Sequence, residues 1–487
     1  MWVACAVLGT VALAGERDAS VAASGETEVV VEEKRQEGSA SSRTLDRAAI
    51  EAMPARSADD LLRAMPGLHQ SAHGGHGKAY QYFLRGFDAV HGADLAVDLD
   101  GVPVNEVSNV HAHGYLDLHF VPPVLVRQVE LRPGSASAEA GDFGVAGSAS
   151  FHLGLDQPGG LVAVGGGTDR SGEATLAWRP ASSKPGTFVV ADVDLGEGIG
   201  MARSWRQVRG GAGVEGPLGE AWARAWVLAY DGVFESPGAI REDDVVEGVL
   251  DFYDAYPGSG GGHSTRVLSA VQLTGGTSER AWQATGWAGW RALSLRQNFT
   301  GWYSDEVHGD GSRQAYQAWT TGLSGRRLWS LSDRSSLSLG SVLRLDLLTQ
   351  EDLAIEPDGA VWAERAALSA SQGSGAAWAS STLSPLSWLV LEPAVRGEVF
   401  IVDVDGGALA WAPVLAPKLR TRLLLSDLVT GFFAYGRGYR SPDARGVGDG
   451  GRGSGAAGRR RQRGSGHGGG ACPVAVLAGG RLRHLRL

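Results

Sequence analysis

A chain of 487 residues exceeds what one hydrophobic core normally supports, so two or more domains are expected. Its 72 glycines without a G-X-Y period exclude collagen, and 43% hydrophobic content with 8% aromatic residues excludes wholesale disorder. A net charge of −10 argues against a nucleic-acid partner, and cysteines only at positions 5 and 472 exclude a disulfide framework and any Cys-based metal site.

Residues 1–14 form a short apolar run ending in small residues, the core and cleavage site of a signal peptide. The basic leader is missing, which leaves the start codon open. No later stretch reaches the ~18 consecutive apolar residues of a membrane helix, so the exported chain is either soluble or a β-barrel. A polar arm, 15–43, follows.

Residues 44–156 read as a small α+β domain. Ile50 and Met53, then Leu61, Leu62 and Met65, stand at helical spacing and predict two helices. Asp59 and Asp60 fall in the first turn of the second, which Pro66-Gly67 ends. Strand-like runs follow at 80–83, 95–99, 124–131 and 149–153.

Residues 160–445 change character, holding fourteen of the fifteen tryptophans. Leu337, Leu339, Leu343, Leu345 and Leu347 share one strand face, while Ser338, Gly340, Arg344 and Asp346 share the other. Trp222, Trp226, Leu228 and Tyr230 alternate with their neighbours in the same way, as do Phe433 and Tyr435. Segments of this kind, separated by polar Gly-rich loops, fit an antiparallel transmembrane barrel, although a soluble sandwich or propeller also alternates. Residues 450–487 carry eight Arg and no Asp or Glu, and their Gly-Arg-rich run 451–461 cannot continue the preceding strands. They read either as a basic tail or as a non-native stretch produced by a frameshift near Gly450, and the second reading fits the Gly-Arg-Ala composition better.

The order of several short motifs is more specific. Glu28-Val29-Val30-Val31 lies just after the cleavage site. Ile50-Glu51-Ala52-Met53-Pro54, Ala58-Asp59-Asp60-Leu61-Leu62 and Met65-Pro66-Gly67 come next. Phe83-Leu84-Arg85-Gly86-Phe87, Asp100-Gly101-Val102-Pro103 and Val126-Arg127-Gln128-Val129-Glu130 follow in turn. Together they resemble the plug domain of TonB-dependent outer-membrane receptors, with Glu28 to Val31 resembling a TonB box and Phe83 to Phe87 the family's Arg-Gly strand. Tyr435 to Pro442 resembles a barrel strand and turn of the same family. Arg132-Pro133-Gly134 departs from the Lys/Arg-Gly-Pro corner of many members.

The resemblance implies a mainly β fold: a plug followed by a transmembrane barrel in the outer membrane. The available length fits roughly 12 to 14 strands, against the 22 of a plugged transporter, so the barrel is expected to be incomplete as translated. It also implies energised uptake of a scarce ligand, an iron-siderophore or other metal chelate. The partners would be TonB with its inner-membrane energising complex, and outer-membrane lipid. No cofactor is required; a metal or chelate would be cargo. Arg85 and Glu130 are the charges the resemblance would latch against the barrel, with a plain internal salt bridge as the alternative.

Seven of twelve histidines lie between 69 and 119. His73, His76, His111 and His113, in Gly-rich or turn-like contexts, are candidate metal ligands, and Tyr80, Gln81 and Tyr82 candidate ligand contacts. No phosphate loop, nucleophile elbow or H-E-x-x-H motif indicates an enzyme. Two rival classes remain: a His-rich periplasmic metal-binding protein or metalloenzyme built on His111, His113, Asp117 and His119, and a surface adhesin or phage receptor without transport.

Overall fold

The computed structural model describes residues 41–72, 76–256, 258, 260–298, 301–405, 408–426, 429–451 and 474–479. The expected signal peptide, Glu28 to Val31, His73 and most of the basic tail lie outside the described residues.

The N-terminal part builds two small sheets. Strands β1 (Arg43–Leu45), β2 (Leu68–Ser71), β3 (Gln81–Leu84), β4 (Phe87–Ala89), β5 (Leu95–Leu99), β6 (Val102–Pro103), β7 (Val126–Pro133) and β8 (Gly147–Leu153) pair as β1-β7-β8-β5-β6 and β2-β3-β4. Among the described strands only β5 and β8 run parallel. Helix α1 (Arg47–Glu51) starts at Asp46, whose carboxylate accepts from Ala49 N at 2.9 Å.

The second expected helix is a tighter 3-10 segment, Ala58–Ala64. Asp60 accepts from Arg56 N and Ser57 N, while Asp59 is drawn inward to accept from Leu118 N at 3.0 Å. Pro66 holds Met65 extended, with ψ 121, which stops a regular helix there.

Two hairpins turn on residue pairs with positive φ, the twist that matches paired strands. Asp100-Gly101 (φ 48 and 82) joins β5 to β6, in line with the Asp-Gly turn. Arg85-Gly86 (φ 51 and 86) joins β3 to β4, so the expected Arg-Gly strand is instead a turn.

The second part is one antiparallel sheet. It runs in chain order through β9 (Gly159–Gly166), β10 (Gly172–Arg179), β11 (Phe188–Gly196), β12 (Trp205–Leu218), β13 (Ala221–Ser236), β14 (Gly260–Thr277) and β15 (Arg280–Gln297). It continues through β16 (Ser312–Ser332), β17 (Ser335–Ile355), β18 (Val361–Leu386), β19 (Leu389–Val404), β20 (Ala408–Ser426), β21 (Val429–Gly436) and β22 (Val474–Gly479). Tight turns at 219–220, 278–279, 333–334 and 387–388 mark one end. Long connections at 237–259, containing α2 (Glu242–Val246), and 298–311 mark the other. In an outer-membrane barrel these are the periplasmic and extracellular ends. Within the basic tail, the apolar, β-branched run of β22 pairs with the edge of β21.

Alternation sorts the wall into two faces. On β17, Leu339, Leu343, Leu345 and Leu347 point out and Ser338 and Asp346 point in. On β13 the polarity reverses: Trp226, Leu228, Tyr230 and Phe234 point in, and Val227 and Val233 out. The reason is the plug. Trp226, Leu228, Tyr230, Leu268 and Trp287 join one hydrophobic core with plug residues such as Leu99, Leu118, Val129 and Phe151. The wall is therefore apolar on both faces where it touches the plug core.

Candidate functional site

The plug and the wall are joined through a buried polar level. Thr175, Asp192, Arg209, Tyr230, Arg266 and Arg291 are successive cross-strand partners from β10 to β15, and so form one continuous row across the wall. The last five are all buried. Arg291 forms ion pairs with Glu106 Oε1 and Asp117 Oδ2, each at 2.8 Å. Arg266 donates to the carbonyls of Val104 (3.0 Å) and Asp117 (3.3 Å), and its guanidinium lies 4.2 Å from the Phe120 ring centre. Arg209 donates to His119 O (3.1 Å) and Arg56 O (2.8 Å) and is paired with Asp192 behind it.

Behind these contacts lies a fully buried acid–imidazole cluster. His119 Nδ1 donates to Asp117 Oδ1 at 2.8 Å and lies 3.5 Å from Asp59 Oδ2. Tyr82 donates its hydroxyl to Asp59 Oδ1 at 2.6 Å. Burial pushes the Asp59 carboxyl up to about 7, against the attraction of His119. Burial also acts to raise Asp117, but Arg291 and His119 outweigh it and hold that carboxyl well below the usual range. Burial alone would lower His119; the Asp117 carboxylate reverses this and raises it. Among the described residues these three are the one His/acid group with metal-ligand spacing. Their facing atoms are already engaged in hydrogen bonds to one another, to Tyr82 and to backbone, so the cluster reads as a brace between plug segments.

Several expected ligand contacts belong to this interior. Tyr82 is buried on Asp59, Gln81 donates to Asp88, and Tyr80 sets its ring edge against His119 at 5.6 Å. The histidines also divide differently from expectation. His76 packs its ring on Trp205, centroids 4.2 Å apart, and burial lowers its pKa. His113 lies edge-on to Phe143 at 5.1 Å and 3.4 Å from Ser441 Oγ, and burial pushes it down to about 4. His111 instead meets His91, Nε2 to Nε2, at 3.2 Å. The quartet His111, His113, Asp117 and His119 is thus divided among three surroundings.

Arg85 and Glu130, expected against the wall or in internal salt bridges, have partners within the plug. Arg85 occupies the β3–β4 turn and donates to Pro66 O at 3.3 Å. Glu130 pairs with Arg132 and lies 3.4 Å from His152, on the plug's own strands. Charge contacts between plug and wall fall on other residues: Arg291, Arg224 with Asp100 (3.1 Å), and Arg326 with Glu139 (2.9 Å). Arg440, just beyond β21, adds a contact to Asp94. Sequence reasoning missed Glu106, His91 and the wall arginines. The usable signal was an arginine on the inward parity of an otherwise apolar strand, as in Arg266 between Ser264 and Leu268.

Toward the tight-turn end a cavity of about 930 Å³ separates the plug sheet from the wall. Asp98, Glu139 and His152 of the plug and Arg326, Arg344 and Glu398 of the wall are among its lining residues.

The fold and this interface define a β-barrel wall with a folded plug inside it. Residues 34–148 match the TonB-dependent Receptor Plug Domain. The chain is 28% identical over 154 residues to the vitamin B12 transporter BtuB of Vibrio vulnificus (strain CMCP6), covering 31% of this chain and 24% of that protein. It superposes on the ferric citrate transporter FecA with a TM-score of 0.69 at 14% identity, covering 85% of this chain and 64% of that one. FpvA of P. aeruginosa, solved with a pyoverdine–iron complex, gives a TM-score of 0.67 at 13% identity, covering 83% and 57%. The chain thus spans under two thirds of these relatives' length. Residues 34–148 thus match the plug domain of the TonB-dependent receptors, and the chain shares its fold with transporters of that kind.

Proposed function

We propose that the protein receives a scarce ligand, an iron-siderophore or another metal chelate, at the long-loop end and passes it inward when TonB pulls on the N-terminal arm. The observation that carries this reading is the placement of the plug. Its polar 76–80 and 108–113 segments lie by the wall next to the long connections, where Lys78 Nζ reaches Gln297 Oε1 at 3.3 Å. Its first described strand, β1, leads back to the arm and borders the polar cavity at the tight-turn end through Thr44, Asp46 and Arg47. Chelates and cobalamin are the ligands named for the relatives.

In this reading Glu28 to Val31 pair edge-on with a strand of TonB, the main chain supplying affinity, and the inner-membrane energising complex supplies the force. The outward leucines of β17 face outer-membrane lipid. The test is the full chain against the periplasmic domain of TonB by calorimetry, together with uptake of ferric siderophores and cobalamin in cells lacking their own receptors. Deleting residues 28–31, or Val30→Pro, is expected to abolish TonB binding and uptake while surface display persists. Unchanged uptake would refute the proposal and favour a passive surface receptor.

A further inference from the structure

We propose that the long-loop end selects a ligand without net negative charge, one that hydrogen-bonds through amide or hydroxyl groups, over an anionic chelate. The proposal rests on the uptake reading and deepens it by naming the ligand class. It starts from the buried row that holds Arg209, Arg266 and Arg291. Those guanidiniums are taken by Asp192, by Glu106 and Asp117, and by plug carbonyls.

The strand register extends that row toward the long connections. The next row out holds Asp194, Gln207, Ser264, Tyr316 and Gln350. The one beyond it holds Gln314 and Asp352, and the last Gln297 and Ser312. From β11 to β17 none of these three rows carries a Lys or Arg. The wall therefore offers cations to the plug and amides to whatever lies above it.

A glutamine amide supplies donors and an acceptor without charge. Several polar atoms of these rows are buried with no hydrogen-bond partner among the described residues: Gln207 Nε2, Gln350 Oε1, Ser312 Oγ and Asp352 Oδ1. Gln207, Gln350 and Ser312 are only 2%, 3% and 6% exposed. Buried polar groups are normally paired, and a ligand carrying both donors and acceptors pairs them. The carboxylates of an anionic chelate only accept, and would meet Gln350 Oε1 and Asp352 Oδ1 acceptor to acceptor.

The connections above carry the same bias independently. Segments 237–259, 298–311 and 356–360 hold eleven Asp or Glu and one Arg, and 197–204 adds one of each sign. That single Arg241 is paired with Asp243 at 3.6 Å. Other cations of this end are turned to protein groups: Lys78 to Gln297 Oε1 (3.3 Å), Arg296 to Pro357 O (2.6 Å) and Arg203 to Tyr253 O (3.0 Å). Carboxylates gathered at one mouth repel an approaching anion and concentrate a cation, over a range of ~10 Å at 0.1 M salt.

The experiment is titration calorimetry of the full chain, folded in a zwitterionic detergent, with three probes. Cyanocobalamin is uncharged and rich in amides, a ferric trihydroxamate with one free ammonium is cationic, and ferric citrate is anionic. At least one of the first two is expected to bind about tenfold or more tightly than ferric citrate. Lower ionic strength should weaken ferric citrate relative to both. Gln207→Leu should weaken the preferred probe by about tenfold. Glu242→Gln combined with Asp251→Asn, both exposed, should reduce the salt response. Ferric citrate bound as tightly as the other two would overturn the proposal and leave the uptake reading standing; no binding by any probe would overturn both. Should Gln207→Leu misfold, the salt response of the unsubstituted chain decides, and an absent or reversed response overturns the proposal.

Discussion

Arg291 on the wall and Asp117 on the plug meet at 2.8 Å, with neither side chain more than 5% exposed. The same guanidinium pairs with Glu106, and its central carbon lies 5.2 Å from the Tyr115 ring centre. One wall residue thus neutralises two plug carboxylates 174 and 185 positions earlier in the chain. Removing one partner of such a buried group leaves charge uncompensated, at a cost of about 3–5 kcal/mol. Arg291→Met is therefore expected to lower the urea midpoint of plug unfolding and to speed hydrogen exchange at 116–121, with β16–β19 unaffected. Arg291→Lys should lose less. An unchanged midpoint in the Met variant would show that this contact does not hold the plug.

The acid–imidazole cluster predicts a pH dependence. Asp59 rises from an ordinary 3.8 to about 7, so its contribution is full below 3.8 and is lost as pH rises through about 7. His119 is raised from 6.5 and acts in the same direction, its contribution lost above that value. Asp117 acts oppositely: its contribution is present above 3.8 and lost as pH falls. Plug stability should peak near pH 4 and decline from there as pH rises through about 7. Asp59→Asn should flatten the decline. Urea midpoints across that range measure it, and an equal slope in both proteins would mean that Asp59 does not titrate there.

Tyr82→Phe removes the hydroxyl that donates to Asp59 and keeps the ring in place. A hydrogen bond to a charged group contributes about 1.5–3 kcal/mol, so a loss of that order is expected by denaturation near neutral pH. A smaller loss is expected in mild acid, where Asp59 is protonated. Equal losses at both pH values would indicate that only packing was disturbed.

Two glycines with positive φ separate backbone strain from steric fit. Gly86 (φ +86) has nothing within 4 Å of a built Cβ, so Gly86→Ala should cost only the left-handed backbone, about 1–2 kcal/mol. Gly114 (φ +77) would place its Cβ 2.7 Å from the Phe143 ring and 3.0 Å from Ala93 Cα. Gly114→Ala should therefore lose more, by about a further 1–3 kcal/mol. It should also disturb the ring against His113. Comparable midpoints for the two variants would rule out the close approach at Gly114.

Much of the architecture was legible in local sequence. The period-two alternation of β17 and the Asp100-Gly101 turn depend on near neighbours, and the ordered plug motifs carry the family. Each records what the backbone does within a few residues. The sequence by itself determined that a small α+β unit precedes a long series of amphipathic strands, and that Leu343 and Asp346 stand on opposite faces.

It did not determine what each face meets. Parity places Trp226, Leu228 and Tyr230 together, but whether they face lipid or plug depends on where the plug core seats against β13. Asp59 was legible as a helix-start charge; the backbone of Leu118 and the hydroxyl of Tyr82, brought up by other segments, made it part of the core. Arg85 and Glu130 carried the expected charges, but Arg85 was used by a turn and Glu130 was turned toward neighbouring plug strands. His91 and His111, twenty residues apart, meet Nε2 to Nε2 while the 79–80 backbone and Gln314 of β16, two separate segments, engage their opposite nitrogens. Faces and turns are properties of a short stretch of chain; partners across a buried interface are set by strand register and by the seating of one domain inside another.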